Sequence, residues 1–135
     1  GAAWRGAGVV GEGTATCMAL DWTRDIDEQA AQAAIEPWDC DVVLAAECVW
    51  LAELVHPFVT TVLRLLSGRN GVCYCIYRDR AKQESQTFAG MQMVVEDFES
   101  GGCNVELLHR LAPDLQKGPG NDVLVYRISL KSKTS

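Results

Sequence analysis

Glu47 and Trp50 are the side chains of this sequence best placed to do chemistry. They close the run CDVVLAAECVW, in which a carboxylate follows five apolar residues and an aromatic residue comes three positions later. A strand over Asp41–Ala46 without polar alternation is predicted to be covered on both faces, as in a parallel sheet, and such strands present their carboxyl ends to a ligand crevice. Glu47 and Trp50 therefore either line that crevice or, on the alternative interpretation, cap the strand and pack on the next helix.

Two other groups of residues carry weaker signals. Gly6, Gly8 and Gly11 have the G-x-G-x-x-G spacing of a dinucleotide-binding turn. That turn requires a strand before it and a helix after it, and neither is predicted here, so a flexible loop is favoured over a ligand-binding turn. His56 and His109 are predicted to be structural histidines.

Composition and charge restrict the class of protein. The 135 residues are 48% hydrophobic and 22% charged, which predicts a single domain, 1–135, with a packed core. The net charge of -6 argues against a nucleic-acid surface, and no apolar stretch is long enough to span a bilayer. The six cysteines are predicted to be reduced thiols of a cytoplasmic or nuclear protein, without a disulfide or a metal site, and four or five of them to lie in or at the ends of apolar strands.

Hydrophobic periodicity and breakers predict an alternation of strands and helices. Residues 1–13 are predicted to be a glycine-rich loop and residues 131–135 a flexible tail. Between them, the predicted elements are a strand at Thr14–Trp22, a helix at Asp27–Ile35 that Pro37 ends, a strand at Asp41–Ala46, a helix with Leu54 to Leu65 at helical spacing and Pro57 in its first turn, a strand at Val72–Tyr77, a helix at Gln83–Ser100, and strands at Asn104–Leu111 and Asp122–Leu130. This order predicts an α/β fold with a partial doubly wound sheet and a C-terminal antiparallel hairpin.

The order of these motifs resembles the class I seven-strand methyltransferases of the lysine methyltransferase branch, methyltransferase family 16. The sequence carries ALDW at a strand end, then PWDCDVV and AAECVW, where that family has L-D-W, P-F-D-[VL]-[VI]-L and A-D-x-[VI]-Y. The likeness runs from about Thr14 to Leu130 and includes the charged cluster Arg78–Arg80, which lies either near the substrate rim or in an ion-paired loop. The resemblance implies a Rossmann-like sheet and S-adenosylmethionine as the cofactor.

The same resemblance implies roles for four residues. Trp22 would lie against the adenine of S-adenosylmethionine, and the small Ala46 would permit close approach of the cofactor. Glu47 stands at the family's aspartate and Trp50 at its tyrosine, where an acid orients the substrate amine and an aromatic wall holds the cationic substrate. Both are departures, because Glu47 is longer by a methylene and Trp50 lacks a hydroxyl. The implied partner is a protein substrate that offers a lysine side chain, with no nucleic acid and no membrane.

The segment before ALDW departs further from the family. A glycine-rich cofactor turn and a ribose-binding acid are expected there, but only about twenty residues precede Trp22. The chain is therefore interpreted as the C-terminal half of a methyltransferase domain, in which the strand Thr14–Trp22 leaves an open edge and exposed apolar surface. A non-catalytic interaction module that uses this edge is the alternative function.

Overall fold

The structure is a computed structural model that describes residues 5–35, 39–78, 89–111 and 122–132. The chain divides into two compact units, Gly1–Trp38 and Asp39–Ser135, where the sequence predicts one domain. Each unit contains strands and at least one helix.

The N-terminal unit opens with an antiparallel hairpin. β1 (Arg5–Val10) pairs with β2 (Gly13–Met18), and Gly11, with φ of 60°, takes the first central position of the two-residue turn, as a type II′ turn requires. The loop predicted over residues 1–13 is therefore wrong for β1, because pairing with β2 outweighs the low strand propensity of its glycines. The strand that was expected to lack a neighbour has one in β1.

A short helix follows the hairpin. α1 (Ile26–Gln32) begins after Asp25, whose side chain accepts a hydrogen bond from the Glu28 backbone N–H as an N-cap. Ile26 and Ala30 are buried, so α1 has one apolar face. The predicted helix is confirmed, but it ends before Ile35 because Ala34 has a positive φ of 54°. Pro37, predicted to end it, lies outside the described residues.

The C-terminal unit is a mixed four-stranded sheet with two helices. Its elements are β3 (Val42–Ala46), α2 (Ala52–Ser67), β4 (Val72–Arg78), α3 (Met91–Ser100), β5 (Cys103–Leu111) and β6 (Val123–Leu130). The strand order is β3-β4-β6-β5, with β3 parallel to β4 and β6 antiparallel to both of its neighbours. This confirms the α/β class, the partial Rossmann-like sheet and the C-terminal antiparallel hairpin.

Gly71 allows β3 and β4 to begin side by side. A Cβ at Gly71 would lie 2.2 Å from the carbonyl oxygen of Cys40, so only glycine permits this approach. The next residue, Val72, donates its N–H to the Asp41 carbonyl oxygen at 2.9 Å. The two strands are thus in register from their first residues, which brings their carboxyl ends to the same edge.

The core lies between one face of this sheet and the two helices. Phe58 of α2 and Phe98 of α3 meet edge to face with ring centroids 6.1 Å apart. The largest fully buried side chains come from both helices and three strands, and they are Phe98, Leu66, Ile128, Val59, Val94, Cys73 and Cys103. The helices therefore hold the sheet that carries the candidate site.

The other face of β3 differs from the prediction. Val42 and Leu44 are 56% and 76% exposed, whereas Ala45 on the opposite face is buried. The prediction that this strand is covered on both faces is therefore wrong. β3 is an edge strand, and a short continuous apolar run does not distinguish a strand buried on both faces from one buried on a single face.

Two helix boundaries also differ from the sequence prediction. α2 begins at Ala52, so Pro57 lies in its second turn rather than its first. α3 begins at Met91 after Gly90, and the earlier part of the helix predicted from Gln83 falls in residues 79–88, outside the described residues. The predicted loop at residues 112–121 and most of the predicted tail also lie outside them.

Candidate active site

The candidate site lies at the carboxyl ends of the parallel strands β3 and β4. This end of the sheet is called the edge below. Ala46, the last residue of β3, is the parallel partner of Ile76 in β4. The N–H of Glu47 donates to the Ile76 carbonyl oxygen at 2.9 Å, so the chain is still held to β4 one residue beyond β3. Ala46 and Glu47 are both exposed at this edge.

Glu47 turns the chain away from the sheet. Its φ of 54° places it in the left-handed region, which few residues with a Cβ adopt. Its carboxylate oxygen Oε1 accepts a hydrogen bond from the backbone N–H of Arg78, at the end of β4. The strand-capping contact of the alternative interpretation is therefore present, and it fixes the direction of an exposed carboxylate.

Trp50 lies three residues beyond that turn. Val49 is buried and anchors the segment in the core, while the Trp50 side chain is 57% exposed. The backbone carbonyl oxygen of Trp50 accepts a hydrogen bond from the N–H of Ala89 at 2.9 Å, just before α3. Less than half of the Trp50 surface is thus buried.

Tyr77 and Ala89 belong to this edge, although sequence reasoning gave neither a role. The buried Tyr77 hydroxyl donates to the Ala89 carbonyl oxygen at 2.5 Å. The available signal was alternation along β4, where Cys73, Cys75 and Tyr77 share the core face. A tyrosine at a buried position requires a hydrogen-bond partner for its hydroxyl.

Trp22 lies in the N-terminal unit, in a turn held by a buried glutamine. The side chain of Gln29 accepts from the Asp21 N–H at 2.8 Å and donates to the Asp21 carbonyl oxygen at 2.8 Å. Hydrogen bonds from the Thr23 hydroxyl and then from the Thr23 backbone lower the pKa of Asp21 below its ordinary value. The half-buried Trp22 is therefore carried by a turn of defined shape, in which Gln29 is a residue that the sequence analysis missed.

The remaining candidates are two histidines and the charged cluster that begins at Arg78. His56 on α2 faces Asp97 on α3, with Nδ1 3.1 Å from a carboxylate oxygen, and His109 is exposed on β5. Arg78 ends β4, while Asp79 and Arg80 lie outside the described residues. Ala46, Glu47 and Trp50 are thus the predicted site residues that one edge brings together.

The cysteines are free thiols that differ in their burial. Cys73 and Cys75 are buried, and burial raises the pKa of each to about 12. Cys17 and Cys48 are exposed. Within the described ranges, no three His, Cys, Asp or Glu side chains are grouped as a metal site. Among the described helices, none has the length and apolar character needed to cross a membrane.

A comparison with known protein families identifies the family of this chain. A family model described as lysine methyltransferase matches residues 7–94, which is more than half of the chain. The chain belongs to the lysine methyltransferase family. This confirms the resemblance to class I S-adenosylmethionine-dependent methyltransferases of the lysine branch, and the match takes in Trp22, Ala46, Glu47 and Trp50. Neither a curated protein nor a solved structure matches the chain significantly.

Proposed function

We propose that this chain serves the transfer of a methyl group from S-adenosylmethionine to a lysine side chain of a protein. The observation that carries the proposal lies at the carboxyl end of β3, where the exposed Glu47 carboxylate comes directly after the strand and the exposed Trp50 ring comes four residues after Ala46. The family match supports the reaction type. The two side chains supply a hydrogen-bond acceptor and an aromatic surface for an amine substrate.

Ala46 and Trp22 are proposed to contact the cofactor that the family uses. Ala46 is exposed at the end of β3, and its one-carbon side chain leaves room for a ligand to approach the strand. Trp22 offers part of a flat ring to a purine, although it belongs to the other unit. S-adenosylmethionine, when bound, supplies an electrophilic methyl group on a sulfonium.

Glu47 is proposed to orient the lysine amine. A carboxylate has about four acceptor positions, and the bond from the Arg78 N–H accounts for one of them. A hydrogen bond from the neutral amine to this carboxylate would aim the nitrogen lone pair. The same carboxylate would stabilise the positive charge that develops on nitrogen as the new N–C bond forms.

Trp50 is proposed to be the wall of the substrate channel. Its exposed ring can hold an ammonium or methylammonium group through cation–π attraction, which is strongest for tryptophan. The ring would also exclude water from the amine. The net charge of -6 favours encounter with lysine-rich protein surfaces over nucleic acid.

Labelled methyl transfer tests the proposal. The chain, complemented by the cofactor-binding half of a domain of this family, is incubated with S-adenosylmethionine labelled in its methyl group and a cell extract, and the products are treated with protease or nuclease. We expect label that protease releases and that amino-acid analysis assigns to methyllysine. Label that only nuclease releases would contradict a protein substrate.

The exposed apolar face of β3 favours a second function, a non-catalytic interaction module. Val42 and Leu44 are the exposed residues that support it. Such a module would capture proteins from the extract but leave them unlabelled. Its binding would also survive Glu47→Ala, which removes the proposed amine acceptor and leaves β3 unchanged.

A further inference from the structure

A chain of two hydrogen bonds connects the core of the C-terminal unit to Trp50. The Tyr77 hydroxyl donates to the Ala89 carbonyl oxygen, and the Ala89 N–H donates to the Trp50 carbonyl oxygen at 2.9 Å. Ala89 takes part in both bonds, as the acceptor from Tyr77 and as the donor to Trp50. The backbone of Trp50 is thus connected to a buried side chain of β4.

Packing alone does not explain why residue 77 carries a hydroxyl group. Tyr77 is at the core-facing position of β4, where a phenylalanine ring would fill the same space. Ala89 is also buried, and a buried carbonyl oxygen without a partner is costly. The hydroxyl therefore satisfies the Ala89 carbonyl and fixes the orientation of that residue, and with it the direction of the Ala89 N–H.

β4 holds the other site residue by different means. Glu47 is fixed by the Ile76 carbonyl oxygen and the Arg78 N–H, both from the β4 backbone. Trp50 is fixed through Tyr77, the β4 residue between those two. Three consecutive residues of β4 thus hold both Glu47 and Trp50, so the end of this strand sets their separation.

We propose that Tyr77 is a positioning residue that places Trp50 relative to Glu47 by orienting Ala89. This inference rests on the proposed function, in which Trp50 forms the wall for the substrate lysine. Tyr77 acts from the core and does not touch the substrate. Its loss should therefore change the placement of the Trp50 ring more than it changes the fold.

The test compares Tyr77→Phe with the matched control Tyr74→Phe. Tyr74 lies on the same strand but on the opposite face. The chain is labelled with 5-fluorotryptophan, and the Trp50 and Trp22 fluorine resonances are assigned with Trp50→Phe and Trp22→Phe. In Tyr77→Phe we expect the Trp50 resonance to shift or broaden and amide exchange at Ala89 to become roughly two- to tenfold faster, as expected when one net hydrogen bond is lost. The Trp22 resonance should stay unchanged, and Tyr74→Phe should have neither effect.

A lysine probe separates this inference from the function on which it rests. Nα-acetyl-lysine methylamide is titrated into the wild-type chain and into Tyr77→Phe while the Trp50 resonance is followed. We expect the probe to move that resonance in the wild-type chain and to bind severalfold more weakly to the variant. A probe without effect on wild-type Trp50 contradicts the proposed function. An unchanged Trp50 resonance and unchanged Ala89 exchange in Tyr77→Phe overturn the positioning role, whatever the probe does.

Discussion

Glu47 combines an unusual backbone conformation with an exposed acid. A left-handed φ at a residue with a Cβ costs free energy, and such strain often occurs at functional sites. Two hydrogen bonds to β4 offset that cost, one from the Glu47 N–H and one to its carboxylate. The sequence located Glu47 through its place after five apolar residues. It could not show the left-handed turn, because glutamate has no preference for that conformation.

Substitution of Glu47 and of Trp22 should affect different kinetic constants. In a preparation that transfers methyl groups, Glu47→Ala should lower kcat on the order of 10²-fold, because the amine loses its orienting acceptor. Trp22→Ala should instead raise the KM for S-adenosylmethionine roughly tenfold by removing a stacking surface. Steady-state kinetics with each substrate varied in turn measure both effects.

The control for these variants is Glu53→Ala, which removes another exposed acid near the start of α2. We expect that variant to keep both constants. If Glu47→Ala and Trp22→Ala only lower the melting temperature and leave activity per folded molecule unchanged, then strand capping and core packing explain both residues.

At the scale of elements, the existence of most helices and strands was predictable, but their neighbours were not. Apolar runs bounded by glycine predicted β4 and the β5–β6 hairpin. These elements were predictable because the signals lie within each segment. The insertion of β6 between β4 and β5 depends on pairing between distant segments. β1 was missed because its glycines disfavour a strand, although Gly11 also supplies the turn that lets it pair with β2.

β4 should make the C-terminal unit sensitive to alkali. Burial raises the pKa of Cys73 and Cys75 from 9.0 in the unfolded chain to about 12. The folded state therefore keeps these protons when the unfolded state has lost them. The stability that depends on the thiols is complete below pH 9.0 and should fall as the pH rises towards 12.

Urea unfolding between pH 8 and pH 11 measures this effect. Over this range the free energy of unfolding should fall by at most about 3 kcal/mol for each thiol, because the range extends two pH units above the unfolded pKa of 9.0. The double variant Cys73→Ala and Cys75→Ala is expected to be less stable at pH 8 but to have a flatter pH profile. An equally steep profile in that variant would assign the alkaline sensitivity to other groups.

At the scale of the whole chain, the described residues provide few of the contacts that a bound cofactor needs. Gly6, Gly8 and Gly11 lie in a β-hairpin, and the element that comes directly after Gly11 is β2 rather than a helix whose N-terminal amides could receive a ligand. The predicted cofactor contacts are then Trp22 and Ala46. We expect calorimetric titration of this chain with S-adenosylmethionine to show no saturable binding in the micromolar range. Micromolar affinity would show that the hairpin, or another segment, replaces the expected glycine turn.

The distribution of the thiols makes the chain suited to a distance measurement. Cys17 is exposed in the N-terminal unit and Cys48 in the C-terminal unit, next to Glu47, whereas Cys73, Cys75 and Cys103 are buried. Brief treatment with a maleimide or methanethiosulfonate spin label should therefore modify one site in each unit before it reaches the core. With Cys40, which is partly exposed, replaced by alanine, pulsed electron resonance between the two labels would report the spacing of the units.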